Sequence, residues 1–401
     1  MPRSSARVAK VWRRAWKVKC PMCSGCRTVS LWRTSLIQMC IRDSNKDDNP
    51  WQLSGGDIKW YTDWLAVRGV NLFIPHAFYY SIRGKRKDER PPDVGPHSIW
   101  WAHYEAWSTY WRRLSWLTTD IDLHAETAVL CRNRDLCPDT VRPLFERQIG
   151  FQYIPESYFP ACTVEDGALW LHGHRYTAVL GDKALFPDAA HPEVSALEPD
   201  CRCDPPQPML RCASFNKEGR ACWLLVNEGN TPIKTRLTLP VDAPLCRYDL
   251  WNGQPCACPA EHTAQGACLP LELPARGSLL LFTCTAQETE TLPLPPTYLS
   301  LPVPDFILVE EDATRAAKTY RAVLQVAAAD IEAATPLLTL RGQEMAELTV
   351  NGQPAGVSFW SPHKFPLAGL LTPGENTLTL TLTGSPANRY GNHPVPYGLE
   401  R

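Results

Sequence analysis

The chain has 401 residues, 44% apolar and 21% charged, with a formal net charge of −1 at pH 7. That length suits roughly two to four soluble domains. The near-neutral charge excludes a global electrostatic footprint for nucleic acid or an anionic membrane, and no apolar run reaches the ~18 residues a membrane helix needs.

Local composition says more. Of the 37 prolines, 23 punctuate the second half, which suits short strands and turns better than long helices. Eight of the 15 tryptophans fall between Trp51 and Trp116, a density found at sugar-facing surfaces and in ordinary cores alike. The 16 cysteines follow no regular framework and the N-terminus has no apolar signal core. Both predict reduced thiols and a cytoplasmic setting.

Residues 1–44 carry ten lysines and arginines against the single acid Asp43, so the rest of the chain is acidic. A nucleic-acid-binding arm and an organelle transit peptide are two readings of such a head. The run SLIQMCIRDS at 35–44 resembles translated sequencing-adapter read-through, which predicts a non-native or disordered head and a native chain cut upstream of about residue 45. Cys20, Cys23 and Cys26 have metal-ligand spacing, but no fourth ligand completes the pattern and Cys40 lies inside the adapter-like run.

Between residues 45 and 124 a helix is expected after Ser54, with Ile58, Tyr61, Leu65 and Arg68 on one face and Gly69 as its stop. The continuous apolar run 70–74 predicts a strand buried on both faces of a parallel sheet. A loop follows, then a helix with Trp100, Tyr104, Trp107, Trp111 and Leu114 at helical spacing. Helix, strand, loop, helix is a βα unit, which places 75–80 at the mouth of a barrel.

The string RGVNLFIPHAFYYSIRGKRKDERPPDVGP, followed by two tryptophans, resembles the last barrel strand and loop of glycoside hydrolases related to family 2 and to the family 106 α-L-rhamnosidases. The resemblance implies a (β/α)8 barrel of which only the end is present. Its acid–base carboxylate pair is expected on earlier strands outside this sequence. His76, Tyr79 and Tyr80 are then candidate sugar contacts, with Asp88, Glu89, Asp93 and His97 on the loop and Trp101 as an exposed platform. Against this, Asp88 and Glu89 also read as a solvated charge run beside the basic residues 85–87, and His76 as a hydrogen-bonded core histidine.

Residues 125–204 read as a small α/β remnant, with a strand near 125–130, a helix over 141–150, an extended stretch at 151–155 and a strand–turn–strand at 168–180. No nucleophile elbow occurs there. His172 and His174 are expected on one strand face. Residues 205–290 alternate and turn as a β-sandwich, with Asp249 and Trp251 as fold determinants. In 291–401, Asn351-Gly352 marks a tight hairpin, and Leu378, Leu380 and Leu382 alternate with threonines.

The phrases LTVNGQPAG, FWSPHKFPL and LTPGENTLTLTLTGSPAN resemble the galactose-binding-like β jelly-roll of family 2 enzymes. Trp360, His363 and Asn351 are its candidate glycan contacts, with turn-making and packing as the alternative for each. The whole is expected to be multidomain, α/β plus all-β: a barrel end, an α/β remnant, a β-sandwich and a jelly-roll. The expected function is that of a C-terminal glycoside hydrolase fragment acting on O-glycosidic bonds of plant or bacterial polysaccharides, inactive alone. The alternative is a non-catalytic carbohydrate-binding or scaffold protein. Carbohydrate is the expected partner, with no nucleic acid, no membrane and no cofactor other than the calcium that the resemblance allows.

Overall fold

The computed structural model describes residues 51–401 apart from 76–77, 87–92, 133–135, 333, 392–393 and 401. The basic head with Cys20, Cys23, Cys26 and Cys40 therefore lies outside the described residues, as do His76, Asp88 and Glu89. β-sheet dominates, with few helices. Among the described residues two compact units separate: one of residues 125–144 and 150–197, the other of the remainder.

In the first unit, Thr127–Cys131 pairs in parallel with Phe151–Pro155 on one side and Ala178–Leu180 on the other. All five residues of the central strand are buried, as expected where both faces of a sheet are covered. A second, antiparallel sheet joins Cys162–Glu165, Ala168–Leu171 and His174–Tyr176. Ala128, Leu130, Ile154, Leu169, Leu171, Tyr176 and Val179 form one core. His172 does not share a strand face with His174. With φ 50° beside Gly173 at 82°, it makes the hairpin turn, which removes it from the ladder.

In the second unit, a six-stranded antiparallel sheet runs in the order Asp122–Leu123, Leu210–Lys217, Arg220–Asn227, Ser278–Thr283, Leu245–Asp249, Gln254–Cys258. A four-stranded sheet lies over it, ordered Glu261–Thr263, Gly266–Leu273, Ile233–Leu239, Arg202–Asp204. Trp223, Leu225 and Leu281 of the first meet Leu237, Leu269 and Leu271 of the second in a common core. The intervening residues Cys222, Leu224, Val226 and Leu280 face the other way, into a second core. Burial on both faces explains why Arg220–Asn227 reads as a nearly continuous apolar run.

That second core is built on two helices, α1 (Gly55–Ala66) and α2 (Tyr104–Thr118). α1 starts at a Ser54–Asp57 capping box, and past its end Gly69 takes φ 90°. Its buried face is Ile58, Thr62, Asp63 and Ala66, whereas Tyr61, expected on that face, is exposed. The rotation follows from polar partners on α2. Tyr110 Oη donates to Asp63, and Trp111 Nε1 donates to Thr62 Oγ1 at 3.2 Å.

The strand expected at 70–74 does not form, and the described residues contain no closed barrel. Val70 and Phe73 are buried against the helices instead of in a ladder. The carbonyls of Val70 and Asn71 accept from the Thr118 and Thr119 hydroxyls at the end of α2. Apolarity in this run reports burial, and burial beside helices satisfies it as well as burial in a sheet.

The last part of the unit has two larger sheets and a two-stranded one that pairs Gly342–Gln343 with Gly398–Leu399. One of the larger sheets joins Tyr298–Ser300, Thr335–Leu340 and His363–Pro366; the other runs Ile307–Asp312, Ala317–Val326, Gly374–Thr383, Met345–Val350, Gln353–Ser358. Leu338, Leu340 and Phe365 of the first share a core with Leu324, Leu348, Leu378, Leu380 and Leu382 of the second.

Candidate functional site

Beyond α1 the chain exposes aromatic rings. Phe78 is 46% exposed, Tyr80 84% and Trp101 41%. Trp101 begins a single turn of 3-10 helix that leads into α2, whose first residue is Tyr104. The Phe78 centroid lies 6.3 Å from Trp101 and 5.7 Å from Tyr104, both edge-on, and Trp101 lies 5.2 Å from Tyr104. Three rings at these spacings form one surface able to stack on an apolar sugar face. The Arg86 guanidinium stands 4.7 Å from the Tyr80 ring.

The turn at 93–98 fixes this surface from below. Asp93 is enclosed and its Oδ1 accepts from the backbone N–H of Gly95, while the backbone N–H of Tyr79 also donates to the carboxylate. Burial raises the Asp93 carboxyl above its ordinary range, opposed by the Gly95 N–H, by His97 and by the Tyr79 N–H. Asp93 Oδ2 and His97 Nε2 lie 3.8 Å apart, and neither atom has a hydrogen-bond partner among the described residues. A β-carbon on Gly95 would come within 2.7 Å of Phe78 Cδ1. The turn and the Phe78 segment are therefore in direct contact.

Of the sequence-predicted contacts, Tyr79, Tyr80 and Trp101 fall on this stretch with Asp93 and His97. His76 and Glu89 lie outside the described residues. Trp360 sits elsewhere, half-buried, with its ring 4.8 Å from Trp251 and 6.2 Å from Trp107. His363 is enclosed, hydrogen-bonded to Ser358 Oγ at 2.9 Å and to the Gly342 carbonyl at 3.0 Å. Burial lowers its pKa to about 4, so the imidazole is neutral.

Asn351 takes φ 51° and Gly352 79°, the tight hairpin expected. The Asn351 amide also donates to Asn376 Oδ1 at 2.8 Å and accepts from Thr377 N–H at 2.9 Å, which is turn and strand structure. Asp249 caps its own turn, accepting from Trp251 N–H at 2.8 Å and Asn252 N–H at 3.0 Å. Phe78 lies within the stretch 75–80 expected at the mouth of a site but is not singled out there as a contact, and Tyr104 was not legible as a surface residue. Tyr104 sits on the buried stripe by spacing, and only its place in the first turn of α2 leaves its ring half-exposed.

No group of three or more metal-ligating side chains occurs among the described residues. No described helix is long and apolar enough to cross a membrane.

No protein-family model matches the chain, and no curated protein does. Among solved structures, a rhamnosidase from Novosphingobium sp. PP1Y is similar over 85% of this chain, with a TM-score of 0.59 and 14% sequence identity. The chain spans 43% of the length of that rhamnosidase. A β-galactosidase from Bacillus circulans sp. alkalophilus aligns with 57% of this chain and 52% of its own at 9% identity, but its TM-score of 0.31 gives no basis for inference. The likeness to the rhamnosidase is one of fold.

Proposed function

We propose that this chain is the C-terminal part of a glycoside hydrolase of the α-L-rhamnosidase type, and that the surface of Phe78, Trp101 and Tyr104 contacts its carbohydrate. The observation that carries the reading is the set of exposed, mutually packed rings held by an enclosed Asp93 turn. The fold likeness to a rhamnosidase, and the part of that enzyme's length which the chain spans, support it. In this reading Tyr79, Tyr80, Trp101 and Trp360 join His76 and Glu89 as contacts. The three-stranded and five-stranded sheets after residue 297 form the sugar-binding jelly-roll, and the irregular spacing of the cysteines fits a cytosolic setting.

Titration with oligosaccharides bearing terminal α-L-rhamnose tests the surface. Trp101→Ala and Phe78→Ala should each weaken binding roughly threefold to tenfold, the worth of one aromatic contact. Unchanged affinity in both variants, or no binding by the parent chain, sinks the reading. Aryl α-L-rhamnosides should not be turned over by this chain alone. Turnover that disappears in His76→Ala or Glu89→Ala would show that catalytic groups lie within it.

A further inference from the structure

We infer, resting on the carbohydrate reading of the Phe78, Trp101 and Tyr104 surface, that His97 is the hydrogen-bonding residue of that surface. Its Nδ1 accepts a hydroxyl proton of the sugar, and Asp93 is the residue that positions it.

Asp93 is 1% exposed, yet its Oδ2 has no hydrogen-bond partner among the described residues, and the enclosed His97 Nε2 is in the same condition. The two atoms face each other at 3.8 Å. That is too long for a hydrogen bond, but close enough for a carboxylate to decide which ring nitrogen carries the proton. An ionised carboxylate only accepts, so the nitrogen aimed at it keeps its N–H, and the neutral ring has its lone pair on Nδ1. The His97 side chain is about a quarter exposed although Nε2 is enclosed, which leaves the Nδ1 side of the ring as the accessible one.

One turn carries both His97 and the rings. Asp93 Oδ1 accepts from the Gly95 N–H, and the Gly95 carbonyl accepts from the Ser98 N–H at 3.0 Å and from Ser98 Oγ at 2.8 Å. The Ser98 carbonyl in turn accepts from the Trp101 N–H at 3.4 Å. Tyr390 meets the imidazole edge-on, with centroids 6.5 Å apart and planes at 84°, and so fixes the plane of the ring. Stacked rings hold any apolar sugar face, whereas a fixed acceptor demands a hydroxyl at one place and is left unpaired by a sugar that lacks it. A hydroxyl bound at Nδ1 polarises the ring and strengthens Nε2–H as a donor, which draws His97 and Asp93 together.

NMR of the full chain with isotope-labelled histidine, titrated with methyl α-L-rhamnoside at pH 8, tests this. In the parent chain His97 should carry its proton on Nε2, and its Nδ1 resonance should move as sugar is added. His97→Phe should weaken binding about fivefold. His97→Asn, which returns an amide oxygen near the place of Nδ1, should recover most of that loss. Asp93→Asn keeps an oxygen for the Gly95 N–H but turns an N–H toward His97 Nε2. The ring proton should then move to Nδ1, and binding should weaken as much as in His97→Phe. A carboxylate that only braces the turn would leave affinity blind to the tautomer. Circular dichroism verifies the fold of each variant. Full affinity in His97→Phe while Trp101→Ala binds weakly overturns this inference and leaves the ring surface standing. A ring proton on Nδ1 in the parent chain overturns it as well. No binding by the parent chain overturns the carbohydrate reading and the role of His97 with it.

Discussion

Gly95 has no room for a side chain: a β-carbon would lie 2.7 Å from Phe78 Cδ1 and 3.0 Å from Asp93 Oδ1. Gly95→Ala must therefore push either the ring or the carboxylate aside, at a cost of about 1–3 kcal/mol. Urea denaturation should register that loss, and saccharide binding should fall with it if Phe78 belongs to the sugar surface. Two titratable residues, half-buried Glu344 and buried His363, act in opposite directions. Glu344 is raised from 4.5 to about 8, by burial first and by the Asp57 carboxylate second. His363 is lowered from 6.5 to about 4, by burial opposed by the Gly342 carbonyl. For Glu344 the folded state keeps its proton longer than the unfolded state. Its contribution is full below about 4.5 and is lost as pH rises through about 8. For His363 the unfolded state takes the proton first, so stability falls as pH drops from about 6.5 through about 4.

α2 shows why one stripe of aromatics serves two ends. Trp107, Tyr110, Trp111 and Leu114 are buried, while Trp101 just before the helix and Trp116 near its end are exposed. Trp107 packs 5.0 Å from Trp251 and 5.5 Å from Phe359, joining the helix to the 249–254 hairpin and to the turn after Gln353–Ser358. Trp107→Ala should cost about 3–5 kcal/mol, seen as a lowered denaturation midpoint with an unchanged slope. The stripe itself was legible, because spacing at 3.6 residues per turn reports a buried face directly. The face of α1 was not, since Thr62 and Asp63 are buried only by virtue of partners on another helix. Likewise 70–74 reads as a strand from its apolarity, yet whether an apolar run lies in a ladder depends on what approaches it.

At the scale of the molecule the two titrations combine. Between about 4.5 and 6.5 they have opposite slopes and offset one another. Above that window Glu344 alone lowers stability, and below it His363 alone does. Unfolding free energies across pH 4–8 should show Glu344→Gln losing the decline on the basic side relative to the parent chain. His363→Gln should lose the acid-side decline, and a variant whose pH profile parallels the parent would refute the corresponding assignment.

The sequence by itself determined the alternating strand through Leu378, Leu380 and Leu382, the turns at Asn351-Gly352 and Asp249–Gly253, and helices α1 and α2. Each of these is encoded by neighbours within a few residues. Tertiary structure alone decided that Trp360 packs among tryptophans, that His363 is enclosed and neutral, and that Phe78, Trp101 and Tyr104 share one surface held by Asp93. Exposure and charge state depend on which distant segments come to rest on a residue, and no local pattern carries that information.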